Sequence, residues 1–471
     1  MVGSSKGIDH LLATGPLARW YKYGQSAALQ MFLRPRRSVA MRILFLTDNF
    51  PPETNAPATR TYEHTRRWVA RRHQVTVITG APNFPAGKVF GGYENKLFQR
   101  ERMDGIDVIR VSTYITANEG FLLRTLDYMS FMVSAFIAGL FLPKHDVIVT
   151  TSPQFFTPCA GFVLSKCKRR PFVFELRDLW PDAIVAVGAM RESLPIRLLK
   201  RLEYMLYRKA ACIVSVTKSY KSILTANGIM PEKVVVVHNG VDLAAFQDGE
   251  RLRHLEAKHG LQGKFVAAYV GTLGLAHGLE TLLDAADRLR HRSDIVLLLI
   301  GTGAEESALR DLAAHRKLKN VVFAGAVDKA TVKDYWRLTD VALVLLRDLP
   351  LFRHVIPSKM FEAMGTARPI ILGVQGESAE LLAASGAGIA VPPEDATALA
   401  EAVRTLADNH LQCRAMGLAG RRYAEHNFDR NVLADEMLKT LLSIQGSERR
   451  AARPLPLPRR HPGAKSYMGG R

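Results

Sequence analysis

The chain has 471 residues, of which 48% are hydrophobic and 23% are charged. This composition is typical of a globular protein and excludes a largely disordered chain. At roughly 100–200 residues per domain, the length indicates two domains that can each bury a core. The four cysteines form no CxxC pair. We therefore expect free thiols in a reducing compartment rather than a disulfide framework or a zinc site.

The formal net charge of +20 raises the question of a nucleic-acid partner, but much of this charge lies at the two ends. Residues 1–40 contribute +5 and residues 447–471 contribute +6. The rest of the chain has no zinc-finger, RNP or basic-helix motif, so we expect no nucleic-acid partner. Basic ends also favour anionic lipids. We expect a cytoplasmic protein that is peripheral on the cytoplasmic face of the inner membrane.

The first 40 residues are interpreted as a basic extension, because charged and polar residues interrupt their apolar stretches before a signal peptide could form. The apolar run that begins at Met41 resembles the beginning of a domain, so Met41 is an alternative start of the protein. No run has the 18 or so apolar residues of a spanning helix. The nearest, Met129–Leu142, predicts a buried helix. The alternative is a helix at a lipid surface, flanked by Arg124 and Lys144.

Strand-like runs alternate with helical patterns along most of the chain. The runs are short, continuous and mostly β-branched, which is typical of parallel sheets covered on both faces. The first series of predicted strands is Ile43–Thr47, Val75–Thr79, Val108–Val111, Val147–Thr150, Phe172–Glu175, Ile213–Val216 and Val234–Val237. The second series is Val266–Val270, Ile295–Ile300, Val321–Phe323, Val341–Leu345, Pro369–Leu372 and Gly388–Val391. The predicted helices include Pro57–Arg72, Leu198–Lys209, Leu279–Leu289 and Ala398–Ala407.

These two series predict an α/β protein with two doubly wound, Rossmann-like domains that face a central cleft. We place the first domain at 41–240 and the second at 241–430, with turn residues between them. A C-terminal helix is predicted over 431–446, and the Pro- and Arg-rich residues 447–471 are predicted to be disordered. Ligands of open parallel sheets bind beyond the carboxyl ends of the strands. The residues after each strand are therefore the candidate site residues.

A glycine-rich turn follows the first strand of the second domain. Its spacing is G-x-x-G-x-x-x-G, which differs from the dinucleotide-binding G-x-G-x-x-G pattern. Such a turn lets a phosphate approach free N–H groups at the beginning of a helix. A tight turn with a structural histidine is the alternative. The donor-binding candidates in this turn and after the next strand are Gly271, Thr272, Gly274, His277, Gly301 and Gly303.

A second candidate donor segment lies further along the second domain. Pro357-Ser358 predict the beginning of a helix, and Lys359 then lies in the first turn. The helix dipole disfavours a cation at this position unless an anion is nearby. Glu362 follows one turn later, where its carboxylate can bind ribose hydroxyls. An exposed Lys359 that pairs with Glu362 is the alternative. The donor-binding candidates of this segment are Arg353, His354, Ser358, Lys359 and Glu362.

Two strand-end loops of the first domain are candidates for the acceptor side. Arg177 can meet phosphate, and Asp178 can bind hydroxyls of the acceptor or the sugar. A structural ion pair is the alternative for these two residues. The loop after the first strand is predicted to lean over the cleft, although an ordinary turn would have a similar sequence. Its acceptor-binding candidates are Pro52, Asn55 and Ala56.

Taken together, these motifs resemble retaining GT-B glycosyltransferases of family 4, in particular the bacterial subgroup that builds O-antigen, capsule and colanic-acid-type polysaccharides. The resemblance spans roughly Met41 to Ile444. It rests on five motifs in order, which are Pro51-Pro52, Arg177–Pro181, Asn239–Asp242, Gly271–Leu279 and Pro357–Glu362. It implies that Glu362 binds the nucleotide ribose, that Ser358 and Lys359 contact the donor diphosphate, and that the Gly274 N–H meets the phosphates. Asn55 would occupy the usual glycine position of the acceptor loop.

The sequence departs from the broad family at the donor site. His354 stands eight residues before Glu362, where a second glutamate is common. Thr272 and His277 stand in place of the common Arg and Lys, and Arg177 in place of a cleft histidine. These departures leave the donor sugar and the individual phosphate ligands open.

The resemblance implies transfer of a sugar from a UDP- or GDP-sugar to a saccharide or polyprenyl-diphosphate-linked acceptor. The anomeric configuration would be retained, because the leaving phosphate would itself take the acceptor proton. The catalytic candidates are then Lys359, Glu362, Asp178 and Arg177. We expect no cofactor and no essential metal, since the chain has no Asp-x-Asp motif. Domain closure is expected to hinge near Asn239–Asp242 and the final helix.

A sugar-nucleotide 2-epimerase of the same fold is the alternative function. It would need a set of cleft carboxylates and histidines for proton abstraction, and the sequence offers Glu362, His277 and His354. An epimerase would isomerise the donor without any acceptor.

Overall fold

The computed structural model describes residues 40–84, 87–116, 121–181, 193–328 and 331–451. The predicted N-terminal extension up to residue 39 and the predicted tail from residue 452 lie outside the described residues. The residues from Arg42 onward belong to one structural unit, which contains both sheets.

Two sheets organise the described residues. The strands of the first are β1 (Arg42–Leu46), β2 (Gln74–Gly80), β3 (Phe98–Met103), β4 (Ile106–Val111), β5 (Val147–Thr151), β6 (Phe172–Leu176), β7 (Cys212–Ser215) and β8 (Val234–Val236). Their order is β3-β4-β2-β1-β5-β6-β7-β8. The strands of the second are β9 (Phe265–Val270), β10 (Ile295–Ile300), β11 (Val321–Gly325), β12 (Val341–Leu345), β13 (Ile370–Gly373) and β14 (Gly388–Ala390), in the order β11-β10-β9-β12-β13-β14. All neighbours run parallel except β3, which is antiparallel to β4.

All thirteen predicted strands are confirmed, with small shifts at their ends. They were recognisable because their side chains are almost continuously buried between helices. The sequence analysis missed β3, whose sequence FQRERM alternates exposed and half-buried residues at the sheet edge. The prediction of two doubly wound α/β domains is therefore confirmed. We refer below to the parts built on these two sheets as the first lobe and the second lobe.

Helices cover the faces of both sheets. In the first lobe they are α1 (Ala56–Ala70), α2 (Phe121–Phe141), α3 (Phe156–Lys168), α4 (Leu194–Lys209) and α5 (Lys218–Ala226). In the second lobe they are α6 (Arg253–His259), α7 (Glu280–Arg288), α8 (Glu306–His315), α9 (Val332–Leu338), α10 (Ser358–Gly365), α11 (Glu377–Ser385), α12 (Ala396–Asp408) and α13 (His410–Asn427), followed by the C-terminal α14 (Arg430–Ala451). Short 3₁₀ helices occupy Pro231–Lys233, Leu275–His277 and Pro350–His354. The predicted helix beginning at Ser358 is confirmed.

The structure corrects the prediction that Met129–Leu142 forms a buried helix, because the helix found there, α2, is covered on one side only. Helix α2 begins earlier than predicted, and its covered side includes residues such as Phe131 and Ala135. The other side exposes large apolar side chains, among them Val133 and Ile137 at 49% each. No described helix is long and apolar enough to cross a membrane.

Helix α14 returns to the first lobe and packs against α1. The Trp68 indole N–H donates to the Ala434 carbonyl at 2.8 Å, and Asp435 pairs with Arg71 at 2.7 Å. The helix continues to Ala451, so residues 447–451, expected to be disordered, are helical. The backbone here needs no apolar face to stay helical, because it extends an already docked helix.

Two chain segments pass between the lobes side by side. The Val241 N–H donates to the Phe428 carbonyl at 3.0 Å, and the Arg430 N–H donates to the Val241 carbonyl at 3.1 Å. A Cβ on Gly240 would overlap the Phe428 carbonyl oxygen, so this close approach requires glycine. The expected hinge at Asn239–Asp242 thus coincides with a paired crossing, and its motion stays a prediction.

Candidate active site

A cavity of about 510 Å³ lies between the two lobes. On the second-lobe side it is bounded by Val270–Thr272 at the end of β9, by Leu346 after β12 and by the beginning of α10. Strand β9 connects to β10 on one side, whereas its other neighbour β12 connects to β13 on the opposite side, so β9 and β12 mark the topological switch point of the sheet. Open parallel sheets bind ligands in the crevice at this point. The volume suits a ligand of sugar-nucleotide size.

Lys359 is the central cation of this cavity. Its Nζ is shielded from solvent and has no hydrogen-bond partner within the described part of the chain. It lies 3.6 Å from the centroid of the Tyr269 ring. Burial lowers the pKa of Lys359 to about 7, while the nearby Glu362 carboxylate opposes this shift. A buried, unsatisfied cation at a helix N-terminus fits a site that an anion completes.

Glu362 lines the same cavity one turn after Lys359. The indole N–H of the buried Trp336 donates to its Oε2 at 3.1 Å, which fixes the orientation of the carboxylate. Glu362 is the one carboxylate among the described residues that line the cavity. An oriented carboxylate next to a cation can bind a pair of vicinal hydroxyls beside a phosphate.

His277 lines the cavity as a neutral imidazole. Burial, together with the positive charge of Lys359, lowers its pKa to about 3. Its Nδ1 lies 3.3 Å from the Leu345 carbonyl oxygen, which fits an Nδ1–H tautomer that leaves Nε2 as an acceptor. His277 therefore offers hydrogen bonding, and not a positive charge, to a ligand.

The predicted glycines divide into two groups. Gly271 lines the cavity with a φ of 138°. Gly301 and Gly303 lie behind this turn, because a Cβ on either would overlap the carbonyl oxygen of Gly271 or Leu273. Gly274 precedes the 3₁₀ helix and does not line the cavity in the described structure. Gly301 and Gly303 thus shape the turn that Gly271 presents.

The first lobe contributes further cations to the cavity. The Arg177 Nη1 is buried without a hydrogen-bond partner in the described residues. Burial lowers the pKa of Arg177 to about 10, and Glu175 opposes the shift. Arg60 also lines the cavity and donates from Nε to Glu175 at 2.8 Å and from Nη1 to the His238 carbonyl at 2.7 Å. Arg430 completes this positive wall.

Several predicted residues lie outside the cavity, judged over the described residues. Asp178 accepts a hydrogen bond of 3.4 Å from the Tyr220 hydroxyl. Arg353 is half-exposed, 3.6 Å from Asp348. His354 and Pro52 also lie outside the lining. In the acceptor loop, Ala56 lines the cavity, whereas Asn55 caps α1 through a hydrogen bond of 3.0 Å from the Ala58 N–H.

The sequence analysis missed four residues that shape the site. These are Arg60, Tyr269, Trp336 and Arg430. Tyr269 lies on a buried strand and Trp336 on a short helix, where an apolar sequence pattern indicates residues of the hydrophobic core. The two arginines lie on helices that face the cleft only after the lobes assemble, so no local pattern identifies them.

The geometry agrees with comparisons to known proteins. Residues 55–240 match the family model described as "Glycosyl transferase 4-like domain", and residues 264–409 match "Glycosyl transferases group 1". HepE of Anabaena, solved in complex with UDP and glucose, has a TM-score of 0.63 at 17% identity and covers 86% of this chain and 100% of its own. This likeness concerns the fold. The two family models and this fold together show that the chain is a glycosyltransferase of the GT-B fold.

Two relatives indicate the kind of glycosyltransferase to which this chain is related. The putative colanic acid biosynthesis glycosyl transferase WcaI of Escherichia coli is 25% identical over 410 residues, which are 83% of this chain and 98% of the relative. The O-antigen chain mannosyltransferase C of Escherichia coli is 26% identical over 270 residues, 56% of this chain and 69% of the relative. The chain is thus a GT-B glycosyltransferase related to enzymes of colanic acid and O-antigen biosynthesis.

Proposed function

We propose that this enzyme is a family 4 retaining glycosyltransferase that needs no metal and takes a UDP- or GDP-sugar as donor. The acceptor is a saccharide or a polyprenyl-diphosphate-linked saccharide of cell-surface polysaccharide biosynthesis. The observation that carries the proposal is the Lys359 ammonium, which is enclosed beside the beginning of α10 and has no hydrogen-bond partner in the part of the chain that the structure describes. The relatives in polysaccharide biosynthesis and a structural neighbour solved with UDP and glucose support the same assignment.

In this proposal the second lobe holds the donor. The N–H groups at the beginning of α10 and the Gly271 turn face the diphosphate, and Lys359 supplies a charge-assisted contact. Glu362, held by Trp336, binds the ribose hydroxyls. Arg177 approaches the departing phosphate from the first lobe.

The chemistry then depends on positioning and charge. The bond between the anomeric carbon and the phosphate oxygen breaks, and the acceptor oxygen bonds to the same face of that carbon. The acceptor proton passes to the leaving phosphate oxygen, so a separate base is not needed. Lys359 and Arg177 stabilise the charge that develops on the phosphate.

We also propose that helix α2 rests on the membrane surface. Its exposed side presents Val133, Ile137 and Phe141, and exposed Lys144 follows the helix. At the same end, Lys168 donates from Nζ to the Leu140 carbonyl at 2.8 Å. An apolar stripe with cations beside it suits an anionic bilayer surface. Arg124, expected to flank this surface, turns instead toward Tyr128, whose hydroxyl lies 2.8 Å away.

A thermal-shift screen against UDP- and GDP-sugars tests the donor site. We expect one nucleotide sugar to stabilise the enzyme, and Lys359→Met and Glu362→Gln to lose this stabilisation while remaining folded. Removing one side chain that stabilises the charge of the transition state typically lowers the transfer rate about 10²–10³-fold. The exposed Lys319→Met is the matched control and should behave as the native enzyme.

Full donor binding and transfer in both cleft variants would refute the donor site. The assay is run with EDTA, and a loss of transfer that added metal restores would refute metal independence. Isomerisation of the donor in the absence of acceptor would replace the transferase by the epimerase.

A further inference from the structure

Glu175 is a charged residue in the interior of the first sheet. It is the fourth residue of β6, a strand that lies between β5 and β7, and it is only 1% exposed. The other residues of β6 are buried apolar side chains. A charge in such a strand is costly unless an opposite charge pairs with it. The partners of Glu175 therefore indicate its role.

Arg60 of α1 pairs with Glu175. Its Nε donates to the Glu175 Oε1 at 2.8 Å, and Arg60 is itself buried. The remaining nitrogens of the guanidinium are held by the segment that crosses between the lobes, because Nη1 donates to the His238 carbonyl at 2.7 Å and Nη2 to the Val237 carbonyl at 3.0 Å. Arg60 also lines the cavity between the lobes, which we call the inter-lobe cavity. Glu175 thus helps to fix a guanidinium that borders this cavity.

Arg177 is a second cation on the same side of β6. It follows Glu175 by two residues, and side chains two residues apart in extended backbone point to the same face of a sheet. Burial by itself would raise the pKa of Glu175, but the charges of Arg60 and Arg177 lower it below its usual value. The carboxylate is therefore ionised near neutral pH and attracts both arginines of the cavity wall.

Glu175 can influence a ligand only indirectly. It lies outside the lining of the inter-lobe cavity, judged over the described residues, whereas Arg60 and Arg177 belong to the lining. Both arginines and Glu175 are enclosed, so solvent screens their attraction little. Donors that are fixed before the reaction stabilise developing charge better than donors that must first reorient. Any effect of Glu175 on a ligand must therefore pass through the positions of the two guanidinium groups.

We propose that Glu175 is a positioning residue of the transfer reaction, which holds the guanidinium groups of Arg60 and Arg177 toward the leaving diphosphate. This inference rests on the proposed function and adds a residue that acts from behind the site. A purely structural ion pair would have another consequence, because its loss would weaken the fold and donor binding together. Removing a negative charge behind a positive wall does not by itself weaken the binding of an anion. Loss of positioning therefore lowers the rate while nucleotide binding is kept.

Glu175→Gln tests the proposal, since it removes the charge and keeps the size of the side chain. The release of UDP or GDP is measured with UDP-glucose, UDP-N-acetylglucosamine and GDP-mannose, with water or methyl glycosides as acceptor, and calorimetry gives the Kd of UDP and GDP. We expect kcat to fall at least about tenfold, with a Kd that is unchanged or lower. Glu175→Asp, which keeps the charge but shortens the side chain, should show the same split to a smaller extent and serves if Glu175→Gln fails to fold.

The matched control is Glu203→Gln. Glu203 is another buried carboxylate of the first lobe, which accepts from the Tyr207 hydroxyl at 2.6 Å and lies outside the described lining of the inter-lobe cavity. This variant should leave kcat unchanged even if it lowers the melting temperature. NMR of the arginine Nε–H groups follows the geometry without any substrate. The signals of Arg60 and Arg177 should shift in Glu175→Gln and stay in place in Glu203→Gln.

A double variant shows whether Glu175 acts through Arg177. Glu175→Gln should lower kcat less in an Arg177→Met background than in the native enzyme, because the group it positions is already gone. The inference is refuted if folded Glu175→Gln keeps the native kcat or the native arginine signals, if kcat and nucleotide binding fall together, or if the two substitutions act independently. Absence of any nucleotide binding to the native chain would instead refute the proposed function, and with it a role of Glu175 in the reaction.

Discussion

Under the proposed function, Lys359 is the residue whose charge state decides donor binding. Burial lowers its pKa to about 7, whereas a diphosphate next to it would favour the protonated form. Above that pH, donor binding must take up a proton. The affinity for the nucleotide sugar should therefore fall as pH rises through about 7, by up to about tenfold per pH unit.

Calorimetry in buffers of different protonation enthalpy measures this uptake directly. A nucleotide sugar is the suitable probe, because its diphosphate diester does not titrate near neutrality. Lys359→Met should bind more weakly, with no proton uptake and a flat pH dependence. If the native enzyme takes up no proton on the alkaline side of neutrality, Lys359 is charged before the donor arrives.

At the residue scale, the sequence identified the side chains whose local context is unusual. Lys359 was predicted because a cation in a first helical turn conflicts with the helix dipole, and among the described residues its ammonium has no hydrogen-bond partner. Asp178 follows a strand just as Arg177 does, but it turns toward Tyr220 and away from the inter-lobe cavity. The direction of a side chain depends on packing partners that are distant in sequence. The sequence alone therefore could not show which of the two residues, Arg177 or Asp178, faces the cavity.

At the element scale, predictability follows burial. Strands buried on both faces have continuous apolar runs, and all of those predicted are present. The edge strand β3 was missed for the opposite reason, whereas for α2 a helix at a lipid surface was the alternative to the predicted buried helix. A polar edge strand has no apolar run. The part of α2 from Met129 to Phe141 has no charged residue, so composition could not distinguish a buried helix from one at a lipid surface.

Vesicle binding tests the role of α2. The Val133→Glu, Ile137→Glu double variant places charge in the middle of the exposed side. Since burial of one such side chain contributes about 1.5–3 kcal/mol, binding to anionic vesicles should weaken at least about tenfold. The matched control is Leu411→Glu, an exposed apolar residue of the second lobe. Equal sedimentation of the double variant and the control with vesicles would exclude α2 as the contact.

At the scale of the whole molecule, the inter-lobe cavity depends on how the two lobes meet. Each sheet supplies its own switch point, which the alternation of strands and helices predicts. The cations Arg60 and Arg430 reach the inter-lobe cavity only through the packing of α1 and α14. Long-range contacts of this kind leave no periodic signal, so the sequence predicted where the site lies better than which residues complete it.

Glu377 joins the two lobes directly. This residue, 8% exposed at the beginning of α11 in the second lobe, accepts from the N–H groups of Lys218 at 2.8 Å and Ser219 at 2.7 Å. These N–H groups begin α5 of the first lobe, so one carboxylate satisfies the free end of a helix across the interface. Hydrogen bonds to a charged group contribute about 1.5–3 kcal/mol each. The Glu377 carboxylate therefore favours the arrangement in which the lobes are close.

Replacing this carboxylate should shift the enzyme toward a more open form. We expect Glu377→Ala to have a larger radius of gyration in small-angle X-ray scattering and a transfer rate at least about tenfold lower, because closure assembles the cleft. Glu380→Ala is the matched control, since Glu380 lies exposed on the same helix. A saturating nucleotide sugar should return the scattering of Glu377→Ala toward that of the native enzyme, because the cavity proposed to bind it is lined by both lobes. Unchanged scattering and transfer in Glu377→Ala would mean that the two crossing segments and α14 hold the lobes together without it.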